Sequence, residues 1–119
     1  MGARYPARDR FEVAASLLLF GVYEIGPQAG REQVGFARAV SDRATFAYLA
    51  DVFILADHRN QGLSKRLLQA VLAHPELRGL RRWLLFTADA HTLYEQFGFA
   101  RTAYPERIVE IRRPYVADQ

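Results

Sequence analysis

Between residues 45 and 88 the spacing of apolar side chains changes twice, and few folds accommodate both changes. Thr45 to Leu55 is a largely apolar stretch that reads as a strand. From Gly62 to Leu72, the residues Leu63, Leu67, Leu68, Val71 and Leu72 fall on one helical face, opposite Lys65, Arg66 and Gln69. Pro75 and Gly79 then stop the helix and turn the chain. Trp83 to Ala88 (WLLFTA) is an almost unbroken apolar run, the pattern of a strand covered on both faces. A strand, a helix and a strand in that order call for parallel pairing through a right-handed crossover.

Upstream the pattern is different. Leu17 to Ile25 (LLLFGVYEI) and Glu32 to Val40 read as strands joined by the turn-forming run Gly26-Pro27-Gln28-Ala29-Gly30. Ser41-Asp42-Arg43 makes a second tight connection into Thr45 to Leu55, so three strands form an antiparallel meander. The sheet is therefore mixed, and the class is α/β (α+β). Before the meander, Ala7 to Ser16 reads as a short helix with Phe11, Ala14 and Ala15 on one side. After the buried strand, Asp89 is the expected N-cap of a second helix carrying Leu93, Tyr94 and Phe97, with Gly98 as its stop. Phe99 to Arg101 and Arg107 to Ile111 read as short final strands.

A chain of 119 residues is expected to form one domain, spanning 1–119. The absence of cysteine excludes a disulfide framework, a Cys-based zinc site and a thiol nucleophile. No apolar run reaches the roughly 20 residues of a membrane helix, and Met1 to Arg10 lacks a signal-peptide core, so a cytoplasmic protein is expected. The net charge of +3 rests on arginine, Lys65 being the sole lysine. Arginine suits phosphate and carboxylate groups, but here it is spread along the chain rather than clustered with aromatics, which speaks against a nucleic-acid partner.

The stretch richest in chemistry is Asp51 to Ser64 (DVFILADHRNQGLS), where a strand runs through a basic and polar turn into a helix. The first turn of a helix has N–H groups without intrahelical partners, and its dipole favours an anion. Gly62 leaves room for a phosphate near the backbone, Ser64 is small, and Arg59 adds positive charge. Together they form a candidate pyrophosphate cradle. The plain alternative is an ordinary helix start with a glycine and a solvent-facing arginine.

Arg59-Asn60-Gln61-Gly62-Leu63-Ser64 resembles the Arg-x-x-Gly-x-Gly/Ala signature of the GNAT superfamily of N-acetyltransferases, departing from it at Ser64. Leu93-Tyr94-Glu95-Gln96-Phe97-Gly98-Phe99 is similar to a second segment of that family. The resemblance, over roughly Leu18 to Ile111, implies a sheet split like a V, with acetyl-CoA as cosubstrate and no metal. It implies that the backbone of Val52, Phe53, Ile54 and Leu55 holds the pantetheine arm, and that Arg59, Asn60, Gln61, Gly62, Leu63, Ser64 and Lys65 hold the phosphates. The implied reaction is direct attack of a primary amine of a small molecule, peptide or protein on the thioester.

In that reading Tyr94 is the general acid for the departing thiolate, against the alternative of a core aromatic. Asp51, which interrupts an apolar strand, is a candidate base whose burial would raise its pKa, against the alternative of an ion-paired structural carboxylate. His91 is a second candidate base or a solvent-facing residue, and His58 and His74 are assigned to the surface. Family members usually carry a strand and one or two helices before the hairpin, and here only about sixteen residues precede it. That shortfall is expected to bare a sheet edge and an apolar surface, which favours a homodimer. It also raises a second functional reading, a non-catalytic CoA-binding or interaction module without a complete acceptor site.

Overall fold

The computed structural model describes residues 11–16, 18–27 and 30–115. Five strands, β1 (Phe11–Ser16), β2 (Leu19–Ile25), β3 (Arg31–Ser41), β4 (Phe46–Ile54) and β5 (Arg82–Leu85), lie side by side in chain order. The pairings from β1 to β4 are antiparallel and β4–β5 is parallel. Helix α1 (Leu63–Ala73) makes the crossover, and the short helix α2 (His91–Glu95) follows β5. The meander, the mixed sheet and the strand–helix–strand unit are thus as the periodicities require.

Three local expectations are corrected. Residues 11–16, expected in a helix, form β1, paired from Phe11↔Glu24 to Ser16↔Leu19; residues 7–10 of that expected helix lie outside the described residues. Local alanine content favours a helix, but six residues already facing a strand gain ladder hydrogen bonds and place Phe11 in the core. Neither Phe99 to Arg101 nor Arg107 to Ile111 is a strand: a short 3-10 helix occupies Pro105–Arg107, and residues 100–115 are exposed. Strand propensity without a partner ladder does not make a strand. Finally, β5 stops at Leu85, short of Ala88.

The core lies between one face of the sheet and α1. Phe20, Val22, Val34, Ala37, Ala39, Leu49 and Ile54 meet Leu63, Leu67, Leu68 and Val71. Leu67, Leu68 and Val71 are fully excluded from solvent, and burying each such side chain contributes about 1.5–3 kcal/mol. On the opposite face Val40 (45% exposed), Phe53 (46%) and Phe86 (66%) face outward.

The course of β4 is fixed at its start and again near its end. The β3–β4 turn is held by Asp42, which accepts from the backbone N–H groups of Ala44, Thr45 and Phe46 (2.8–3.1 Å) and from Thr45 Oγ1 at 2.6 Å. Farther along, Phe36 pairs with Phe53 but Arg38 pairs with Ala50, so β4 carries one extra residue. Asp51 sits in that bulge at φ 56°, a left-handed conformation that aspartate tolerates better than most residues.

Candidate functional site

β4 and β5 pair only from Phe46↔Arg82 to Leu49↔Leu85. Past Leu49, β4 continues through the Asp51 bulge to Ile54 without a β5 partner, so among the described residues the edge at 50–54 is bare on that side. A T-shaped contact between Tyr48 and Phe86 (5.9 Å) lies where the strands part. An exposed edge of this kind can bond an extended amide-bearing chain.

The edge leads into a helix start with open donors. After Ile54 the chain makes a 3-10 turn (Ala56–His58), passes Asn60 at φ 65° and Gly62 at φ 75°, and enters α1. The first backbone bond of that turn runs from Arg66 N to Gly62 O at 3.1 Å. The N–H groups of Gln61 to Lys65 have no protein acceptor among the described residues. Among the described residues no side chain caps the helix, and no acidic residue occupies its first turn, which leaves the donors open to an incoming anion. Gly62 is demanded by its left-handed φ rather than by crowding, since a Cβ there would meet nothing within 4 Å. Arg59 donates from Nε to Ile54 O at 2.9 Å, which ties the positive charge to the end of β4. Of the predicted phosphate-side residues, only Leu63 is a core side chain; Arg59, Asn60, Gln61, Gly62 and Lys65 are exposed and Ser64 is half-buried.

Tyr94 lies on α2, which follows β5. It is 9% exposed, joins the core cluster and makes an edge contact with Phe99 at 5.8 Å. Burial pushes its phenol pKa up from the ordinary value of 10.0, so the hydroxyl is protonated at neutral pH. It also lines a cavity of about 370 Å³ that includes His91 and runs along Arg82 to Thr87. The two readings of Tyr94 are therefore not exclusive: the ring is core and the residue borders open space.

The expected burial of Asp51 is corrected. Its side chain is 57% exposed and accepts from Arg38 Nε at 2.8 Å, because the bulge turns it away from the core face. Arg38, a charged residue in the apolar half of β3, is the half of this pair that the sequence reading missed. His58, expected at the surface, is mostly buried, with Nε2 at 3.3 Å from Glu24 Oε1 and its ring edge against Phe11. His74 is half-buried, and its Nδ1 accepts from Glu76 N at 3.1 Å. The N-cap of α2 is Ala90 rather than Asp89, and Thr87 Oγ1 accepts from Ala90 N at 3.0 Å in its place. Among the described residues, no group of three or more His, Asp or Glu side chains could hold a metal ion.

The family model described as the acetyltransferase (GNAT) domain matches residues 18–101. The chain belongs to the GNAT family. A Xanthomonas campestris pv. campestris protein, whose crystal structure is described as a proposed GNAT-family acetyltransferase, is 50% identical, with a TM-score of 0.74 over 82% of this chain and 65% of its own. A Gibberella zeae protein, whose name proposes an acetyltransferase, is 33% identical over 75% of this chain and 58% of its own. This GNAT chain thus spans roughly three fifths of these relatives' length. AAC(6')-Iy, solved with the bisubstrate analogue CoA-S-monomethyl-acetylneamine, shares the fold at 21% identity and a TM-score of 0.51, over 84% of this chain and 72% of its own.

Proposed function

We propose that this GNAT chain transfers an acetyl group from acetyl-CoA to a primary amine, with the coenzyme lying in the gap between β4 and β5. The observation that carries the proposal is the continuity of two open binding elements: the bare β4 edge at residues 50–54 runs directly into a helix start with free donors. The edge suits the amides of pantetheine and the helix start suits the pyrophosphate. A Cβ-free, left-handed Gly62 and the tethered Arg59 fit the same group.

In this reading the amine nitrogen attacks the thioester carbonyl, the C–S bond breaks and the thiolate leaves. Tyr94 supplies a hydrogen bond and then a proton to that sulfur. Full transfer from a phenol (about 10) to a thiolate (about 8.5) is uphill at ordinary values, and burial of Tyr94 steepens it. Tyr94 therefore acts chiefly on the charge that develops as the bond breaks. Asp51 or His91 takes the proton from the amine, directly or through water.

A second reading, a CoA-binding module without acyl transfer, is favoured by one observation: Asp51 is exposed and ion-paired rather than buried. Titration calorimetry with acetyl-CoA, beside Ser64→Glu, tests what both readings share. The variant puts a carboxylate into the first turn of α1, where it favours the helix but repels phosphate. Binding by the parent and a loss of at least about tenfold in the variant support the site; absence of binding by the folded parent removes it. Turnover with a panel of amines then separates enzyme from module.

A further inference from the structure

Arg31, Arg38 and Arg43 each meet a carboxylate, from Glu12, Asp51 and Glu76. Arg81, Arg82 and Arg107 pair with no carboxylate among the described residues, yet all three line one cavity of about 540 Å³. Thr102 and Tyr104 share its wall, and no acidic residue does.

The three arginines are held from different elements. The backbone N–H groups of Arg81 and Arg82 both donate to Thr45 O, at 3.0 and 3.2 Å, where β5 begins beside Phe46. Arg107 ends the 3-10 turn Pro105–Arg107, and its guanidinium stacks 4.1 Å from the Tyr104 ring centroid. Such stacking fixes the plane of the guanidinium and leaves its edge N–H groups free to donate. Asp42, which bonds to Thr45, already accepts from four donors in residues 44–46. Three like charges around one cavity repel each other, and an anion relieves that repulsion. A carboxylate brings a single charge. A phosphate monoester brings about −1.5 to −2 at neutral pH and three acceptor oxygens, which suit the arginine fork.

This cavity shares Arg82 and Thr102 with the 370 Å³ cavity that follows β5 to Thr87 and includes Tyr94 and His91. The two adjoin as one groove. Arg101, beside the shared Thr102, adds to the basic end. At the Tyr94 end the lining includes Glu95, a carboxylate without an ion pair among the described residues. Charge along the groove therefore runs from positive at Arg82 to negative at Glu95. From Arg82 to the end of β5 and Phe86 is three to four residues, about 10–13 Å of strand.

We propose that the groove binds a primary amine carrying a phosphate monoester about 10–13 Å from its nitrogen. The phosphate lies among Arg81, Arg82 and Arg107, and the ammonium lies towards Glu95, within reach of Tyr94 and His91. That the bound amine is then acetylated rests on the acyl-transfer reading; the phosphate site itself does not.

The test has a binding arm and a turnover arm, both with aminohexyl phosphate beside aminohexanol. Calorimetry in the Ser64→Glu chain keeps the α1 cradle from competing for phosphate. Saturable binding of the phosphate amine is expected, weakened at least about tenfold when Arg82→Gln/Arg107→Gln is added, with aminohexanol binding far less. Both arginines are exposed, and an unchanged melting curve by circular dichroism checks that the fold holds. In turnover, Arg82→Gln/Arg107→Gln is expected to raise KM for aminohexyl phosphate at least about tenfold, leaving acetyl-CoA affinity and kcat within about twofold. A phosphate amine that does not bind, binds the double variant equally, or is matched by aminohexanol overturns the proposal. Turnover that ignores the phosphate, with binding intact, overturns the acceptor role. Binding through these arginines in a chain that acetylates no amine sinks the acyl-transfer reading and leaves the phosphate site standing.

Discussion

Tyr94 and Asp51 occupy opposite environments, and that contrast decides how each should respond to change. Tyr94 is buried with a raised phenol pKa. Because the folded value lies above the unfolded one, the contribution of the neutral phenol is complete below about pH 10 and is lost as pH rises through the folded value. Denaturation at pH 8 and pH 11 should therefore show a steeper alkaline loss in the parent than in Tyr94→Phe. On turnover, Tyr94→Phe is expected to lower kcat by roughly 10²-fold or more while leaving acetyl-CoA affinity within about twofold, the pattern of a lost general acid. Asp51 is exposed in a left-handed bulge and bonded to Arg38. Asp51→Asn keeps a side chain that tolerates this φ, so Tm should hold while kcat/KM falls at least about tenfold if the carboxylate takes the proton; unchanged kcat/KM assigns the residue to structure. Both residues stand out in the sequence, one within LYEQFGF and one as a charge inside an apolar run. Neither burial nor bulge is legible there: the bulge depends on the register of β4 against β3, and the burial of Tyr94 on how α2 packs against the core.

At the scale of elements, the helix start and the β3–β4 turn are the parts most open to test. Asp42 is held well below the usual carboxylate range by bonds from Thr45, Ala44 and Phe46. Its ionised form is favoured in the fold, so its contribution is present above about pH 4 and fades as pH falls. Acid unfolding should thus begin at higher pH in the parent than in Asp42→Asn relative to each protein's neutral stability, measured by circular dichroism. Gly35 is the opposite kind of position, fixed by crowding: a Cβ there would lie 2.6 Å from Ile54 Cδ1, 3.1 Å from Val22 Cβ and 3.2 Å from the Phe53 carbonyl oxygen. Gly35→Ala is expected to destabilise by about 1–3 kcal/mol in urea titration, because β3 and β4 must move apart beneath the candidate site. The elements with a strong period, β2 to β4 and α1, were legible from residue spacing. The weak ones were not: residues 11–16 pair as β1 by contact with β2, and the segments after Gly98 lack a ladder to join.

The whole molecule is a small sheet with one helix-covered face, so a few side chains carry much of its stability. Leu67 is fully buried at the centre of the α1–sheet interface, and Leu67→Ala is expected to cost about 2–5 kcal/mol, a large share of the roughly 5–15 kcal/mol typical of a domain. A fall in the urea midpoint without a change in slope would show it. At this scale the bare face with Val40, Phe53 and Phe86 and the bare edge of β5 also become visible. What the amino-acid order determined by itself is local: where the period is 2 or 3.6, where glycine and proline break it, and which short motifs resemble a family. Those features arise from backbone geometry and need no distant contact. The tertiary structure alone decided which strand ends are left unpaired, where β4 and β5 part, and whether a carboxylate faces water or core. Those depend on hydrogen bonds between residues far apart in the chain, and such pairings leave no local trace.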